Sequence, residues 1–216
     1  MNKDLIIRTD ELDNAIDYLE KAAFYYNNRE DSHWFKWLVI SLHGALYGFG
    51  VCAVKGTNPS QRVLDKPSNK QIRQLIPLLS ERYLGLDAPI SKDQNEILED
   101  EHMLLVIKML AENNLNKIWD ILDKCEDPNF MLQNTDSRVL QKTHRQTEAI
   151  KKLVDYRNHF AHFKPGLSGI TKSEEWIICE VLDVIRFLSL ESNNIFYFGK
   201  STLVRVEKIL KRFKTS

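Results

Sequence analysis

An apolar run from Trp37 to Val54 is the feature that most limits how this chain can fold. Its length raises the question of a membrane span, but polar and small residues interrupt it: Ser41, His43, Gly44, Tyr47 and two further glycines. The run is therefore predicted to be a buried helix of a soluble protein. Three glycines at intervals of about one turn give this helix a small surface that another helix or a second copy can approach closely: Gly44, Gly48 and Gly50.

Composition and periodicity favour an all-helical fold. The 216 residues include only eight glycines and six prolines, and no convincing alternating strand pattern occurs. Hydrophobic residues make up 43% and charged residues 28%, which is ample for a packed core and excludes a disordered chain. Thirty basic residues balance thirty acidic ones, so any RNA binding has to come from a local patch.

The chain is predicted to form a single domain over residues 1–216, an antiparallel helical bundle with inserted loops and short helices and an extra C-terminal helix. Residues 56–95 are predicted to be an insertion, and Asp127–Asp136 a loop. Each predicted helix begins at a cap residue or where an apolar pattern resumes. The predicted helices start at Thr9 or Asp10 and at Ser32, then run from Glu96 to Leu110, after the polar break Glu112–Asn114 from Leu115 to Leu122, from Asp136 or Thr143 to Phe163, from Ser173 to Leu190, and, as a basic helix, from Ser201 to Lys214.

Cysteine usage and the N-terminus indicate a cytoplasmic protein without a membrane segment. Cys52, Cys125 and Cys179 are an odd number at wide spacing, with no CxxC, and are predicted to be reduced thiols. The first residues lack the apolar core of a signal peptide.

The stretch LVDYRNHFAHFKP, Leu153 to Pro165, gathers the polar groups most suited to catalysis. It holds a permanent cation, an amide and two imidazoles among apolar residues, and Pro165 with the next glycine forms a helix stop. The motifs of common nucleotide-binding proteins and hydrolases are absent from the sequence: GxxxxGK[ST], GxGxxG, GxSxG and HExxH.

The segment Arg157-Asn158-x-x-x-His162, with Leu153 and Tyr156 before it and Phe160-Ala161 inside it, resembles the Arg-x(4–6)-His signature of the HEPN superfamily. This resemblance implies an all-helical, metal-independent endoribonuclease, with no cofactor and an active site formed across a homodimer. Similar proteins act as toxins or defence effectors, so it also implies an RNA substrate and a possible antitoxin partner. The catalytic candidates are Arg157, Asn158 and His162, and the flanking binding candidates are His159, Tyr156 and Lys164.

The chemistry of the motif fits RNA cleavage. Arg157 can contact two phosphate oxygens, and His162 can act as general base or acid near neutral pH. Asn158 lies four residues before His162 and shares its helix face. Arg157 and His162 are separated by roughly 140° around a regular helix. Either the helix loosens, the arginine curls round, or a second chain completes the site.

Three other interpretations stay open. An arginine and a histidine near a helix C-terminus are often only favourable partners of the last carbonyls. Asp155, His159 and His162 form one stripe that could ligate a metal, although no metal is predicted. The protein could also be a catalytically inactive module that binds nucleic acid, a nucleotide or a partner protein. His43, among apolar residues, is predicted to be a core histidine.

Overall fold

A computed structural model of the protein describes residues 9–57, 59–65, 70, 74, 115–161, 174–197 and 199–213. The described residues are mostly helical and contain no β-strand beyond one isolated bridge, so the predicted all-α class is confirmed. The helices, in chain order, are α1 (Glu11–Asn27), α2 (Trp34–Val54), α3 (Pro59–Arg62), α4 (Ile118–Glu126), α5 (Pro128–Met131), α6 (His144–Ala161), α7 (Glu175–Arg186), a π-helical turn (Phe187–Glu191) and α8 (Lys200–Lys211).

The chain divides into two compact units, Met1–Val54 with Ile118–Ser216, and Lys55–Lys117. In the second unit, Leu64 and Leu115 form the antiparallel bridge, and the backbone N–H of Asn116 donates to Val63 O. Leu115 was expected in a helix, but these contacts place it in extended backbone. The predicted insertion, 56–95, falls inside this second unit, and most of that range lies outside the described residues.

The first unit is built on the hairpin of α1 and α2. The Asp10 side chain caps α1 by accepting a hydrogen bond from Asp13 N–H, as the sequence predicted. Gly44 faces Tyr18 and Gly48 faces Ala15. Residue numbers thus increase along α2 in the direction in which they decrease along α1. The two helices are therefore antiparallel, and at these glycines a side chain of α2 would collide with α1.

Helix α2 is the central element of this unit, with α1, α4, α6 and α7 packed against it. Among the described helices it alone is long and apolar enough to cross a membrane, but 67% of its most apolar window is buried within the protein. Thirteen residues of α2, including Leu38, Leu42 and Phe49, are buried. This burial is what the sequence predicted for the apolar run, and it favours a core helix over a membrane span.

Helix α6 begins one residue after Thr143 rather than at Asp136. The Thr143 hydroxyl accepts from Gln146 N–H at 3.1 Å, and the Gln146 side-chain oxygen accepts from Thr143 N–H at 2.9 Å. This reciprocal pair is a capping box, which fixes the start of the helix. The predicted start at Asp136 is therefore wrong, and the described part of α6 ends at Ala161.

One predicted loop is partly helical, and the helix predicted to reach Leu190 is helical to Glu191 but changes geometry after Arg186. The predicted loop Asp127–Asp136 contains α5, since Asp127 caps it and Pro128 supplies a first residue with a suitable fixed φ. Beyond Arg186 the helix continues as a π-helical turn, and Asn193, with a φ of 57°, lies just after it. The predicted cap at Ser173 lies outside the described residues.

Candidate functional site

Arg157 and Asn158 lie near the end of the described part of α6, and both side chains are partly exposed. Leu153, one turn earlier, is buried and anchors this part of the helix in the core. Arg157 Nη1 donates a hydrogen bond to Asn158 Oδ1 at 3.1 Å. The amide thus holds one edge of the guanidinium. The predicted catalytic His162 and the predicted binding residue Lys164 lie outside the described residues.

Charge pairing distinguishes Arg157 from the other cations of this region. The sequence indicates a basic side on the motif helix, formed by Lys142, His144, Arg145, Lys151 and Lys152. Four of these side chains have a carboxylate partner: Lys142 with Glu126, Arg145 with Glu180, Lys151 with Glu148, and Lys152 with Glu174. The predicted basic side is therefore largely neutralised. Within the described ranges, no carboxylate lies within ion-pair distance of Arg157, and its guanidinium keeps donors for an incoming anion.

His43, on α2, is a neighbour of Arg157 that the sequence did not identify as a site residue. It is partly exposed rather than fully buried, and its ring lies 6.5 Å from that of Tyr47. Burial and, to a smaller extent, the charge of Arg157 lower the pKa of His43 from 6.5 to about 4. The imidazole is therefore neutral at pH 7. Its only sequence signal was that it interrupts the apolar run of α2.

An aromatic cluster supports the same stretch of α6. The Phe35 ring meets Tyr156 and Phe160 edge-on, at centroid distances of 5.6 and 6.4 Å. The Tyr156 hydroxyl donates to Glu174 Oε2 at 2.5 Å, and burial together with this hydrogen bond raises the pKa of Tyr156 to about 12. Tyr156, predicted as a binding residue, thus ties α6 to Glu174, just before α7.

His159, the other predicted binding residue present, is partly buried and packs its ring edge-on against Phe160 at 5.7 Å. The described residues contain no group of three or more side chains that could hold a metal ion. The stripe weighed as a metal site, Asp155, His159 and His162, has its last member outside those residues. Asp155 is exposed on α6.

No protein-family model, curated protein or solved structure matches this chain. The chemistry of the site therefore has to be argued from its own residues. They provide a permanent cation with no carboxylate partner among the described residues, an amide that orients it and a neutral imidazole beside it. This set can bind an anion and offer it hydrogen bonds, and it resembles the environment that a phosphodiester requires.

Proposed function

We propose that the protein is a metal-independent endoribonuclease of the HEPN type, with Arg157 and His162 catalytic and Asn158 supporting. The observation that carries this proposal is the state of Arg157. Its neighbours along the helix are ion-paired, whereas Arg157 has no carboxylate partner in the described part of the chain. A guanidinium in this state suits a phosphate, and the Arg-Asn-x-x-x-His spacing puts an imidazole five residues further on.

The proposed reaction is an internal transesterification of RNA. The 2′-oxygen bonds to phosphorus as a general base removes its proton, and the bond from phosphorus to the 5′-oxygen breaks as that oxygen gains a proton. The products are a 2′,3′-cyclic phosphate and a 5′-hydroxyl. Arg157 stabilises the charge on the five-coordinate phosphorus, and Asn158 holds its guanidinium by the 3.1 Å hydrogen bond.

His162 is the proposed proton carrier, because an ordinary histidine exchanges protons near neutral pH. His43 is less suited to that task. A pKa of about 4 makes it a weak base and leaves it without a proton to donate as an acid at pH 7. Its proposed role is to give a neutral hydrogen-bonding surface beside Arg157, which leaves the guanidinium's charge available to the phosphate.

The assembly belongs to the same proposal. Arg157 and His162 point to different faces of a regular helix, roughly 140° apart. Two copies that face each other in a homodimer can bring Arg157 of one chain and His162 of the other into one cleft. We also propose a cytoplasmic toxin or defence role, with an antitoxin as a possible partner. The burial of α2 supports a protein that does not use this helix to enter a membrane.

The decisive experiment compares RNA cleavage by the wild type, Arg157→Ala, His162→Ala and the control His144→Ala. His144 is an exposed histidine at the start of the same helix and has no role in the proposed site. We expect the first two variants to lose at least about 100-fold in rate, while the control and a chelator-treated wild type keep their activity. Equal residual cleavage by the wild type and His162→Ala would contradict the proposal.

The dimer is tested separately by mixing inactive protomers. If each active site takes Arg157 from one chain and His162 from the other, a mixture of Arg157→Ala and His162→Ala should recover part of the wild-type rate. Sedimentation measures the oligomeric state of the same samples. A monomer with full activity would contradict the composite site while leaving the cleavage proposal standing.

The neutralised basic side supports a second candidate function, a helical module that binds without cleaving. Ion pairs occupy the cations that would otherwise form an extended contact with the RNA backbone. In this alternative, Arg157 recognises a single phosphate of a nucleotide, a nucleic acid or a partner. Binding of RNA or nucleotides that Arg157→Ala abolishes, together with no cleavage by the wild type, would favour it.

A further inference from the structure

A cavity of about 450 Å³ lies where α7 changes from α-helical to π-helical geometry. One wall is the segment 139–141 that leads into α6, and the other is formed by the end of α7 and the π-helical turn. The volume is in the range of small-molecule sites, and π-helical turns occur often at functional sites. Gln146 also lines the cavity, and it lies roughly 16 Å along α6 from Arg157, so this is a separate place.

Arg186, the last residue of α7, gives the cavity an unsatisfied cation. Its Nε is buried and has no hydrogen-bond partner, and no described carboxylate pairs with its guanidinium. A buried donor without a partner is unfavourable, and more so when the group is charged. Since Nε is shielded within the protein, an anion in the cavity would be held by the terminal Nη atoms of this guanidinium. The guanidinium fork fits a carboxylate or a phosphate best.

Two carboxylates in the same cavity decide between those anions. Asp183 lies one turn before Arg186, Glu191 closes the π-helical turn, and neither makes an ion pair with a described residue. A phosphate dianion would meet two negative charges there. A ligand with one carboxylate and one ammonium group would satisfy all three side chains, since opposite charges at short range attract. Buried Leu140 and Val184 and partly buried Phe187 supply apolar surface.

We propose that this cavity binds a small zwitterion, an α-amino acid with an apolar side chain. Arg186 would take the carboxylate, and Asp183 with Glu191 would take the ammonium group. Leu140 and Phe187 would contact the side chain. This site is independent of the proposed ribonuclease activity, because its ligand and its residues are different.

Calorimetric titration of the full-length protein tests the ligand class. The probes are alanine, valine, leucine, methionine and phenylalanine, each compared with the analogue that lacks the amino group and the analogue that lacks the carboxylate. We expect at least one amino acid to bind saturably and both of its analogues to bind at least about tenfold more weakly. The proposal is overturned if no amino acid saturates the protein at about 10 mM, a concentration that detects even millimolar affinity. It is also overturned if either analogue binds as tightly as its parent.

Variants locate the site. Arg186→Gln should abolish the binding, and Asp183→Asn should weaken it at least about tenfold. The matched control is Arg205→Gln, because Arg205 is an exposed arginine on α8 that pairs with Glu20, and neither residue lines the cavity. Circular dichroism reports whether Arg186→Gln folds. If it does not, exposed Asp183 carries the test, and wild-type affinity in Asp183→Asn refutes the proposed site.

Discussion

The close approach of α1 and α2 makes a quantitative prediction at Gly48. A Cβ placed there would lie 2.7 Å from Ala15 Cβ and 3.1 Å from Ala15 Cα, and Ala15 is fully buried. Relief therefore requires the two backbones to separate. Gly44 provides the matched comparison, since its added Cβ would meet the ring of Tyr18 at 2.6 to 2.9 Å. Tyr18 is 43% exposed, so its ring can swing outward.

Both substitutions to alanine gain the same helix propensity, about 1 kcal/mol. Gly48→Ala adds an overpacking cost of about 1–3 kcal/mol, because the clash is with backbone and a buried methyl group. Gly44→Ala avoids most of that cost. The free energy of unfolding should thus be about 1–3 kcal/mol lower for Gly48→Ala than for Gly44→Ala, since the shared propensity gain cancels.

Urea denaturation followed by far-ultraviolet circular dichroism measures this difference. Ala15→Gly should cost less stability in the Gly48→Ala background than in the wild type, because there it also removes the methyl group at 2.7 Å, while the backbone of α1 stays at 3.1 Å. A coupling energy of at least about 1 kcal/mol between the two sites is expected from such a direct clash. Equal stability of the two glycine variants, or no coupling, would refute the close-approach argument.

Three further predictions concern the candidate site and its helix. His43 should titrate near pH 4 by NMR. Because the unfolded chain binds this proton at a higher pH, the free energy of unfolding should fall as pH falls from 6.5 toward 4. Arg157→Gln should raise the pKa of His43 but leave it below 6.5, since burial is the larger cause. Tyr156→Phe should lower the free energy of unfolding by about 1 kcal/mol, because Glu174 Oε2 loses this hydrogen bond while Oε1 keeps its ion pair with Lys152. An unchanged midpoint would show that the hydrogen bond is not formed in solution. Thr143→Ala should cost about 1 kcal/mol through loss of the cap, and Thr143→Ser, which keeps the hydroxyl, should cost less.

The helical class and the hairpin could be predicted because their signals are local. Asp10 is a cap residue directly before an apolar pattern. Thr143 and Gln146 match the Ser/Thr-x-x-Glu/Gln pattern of a capping box, which the sequence shows directly. The glycines of α2 were visible as a small surface. The short polar connection between α1 and α2 is also visible in the sequence, and two long helices joined in this way form an antiparallel hairpin. The glycines of α2 are therefore expected to face α1.

The surroundings of Arg157 could not be predicted in the same way. Whether a cation is free or paired depends on carboxylates from other elements, such as Glu180 and Glu126, and helical periodicity gives no information on those interactions. His43 comes next to Arg157 only through the packing of α2 against α6. The π-helical turn after Arg186 likewise has no local sequence signature in this chain.

The ion pairs of α6 have a consequence for how any RNA affinity would respond to salt. Binding of a polyanion releases about 0.7 counterions per neutralised phosphate of a single strand, and the observed constant falls with salt accordingly. With Lys142, Arg145, Lys151 and Lys152 already paired, Arg157 would neutralise one phosphate per chain. A fourfold rise in salt should then weaken binding about threefold for one chain and about sevenfold for a homodimer. An RNA held in this way would stay bound at ionic strengths that release proteins with an extended basic surface.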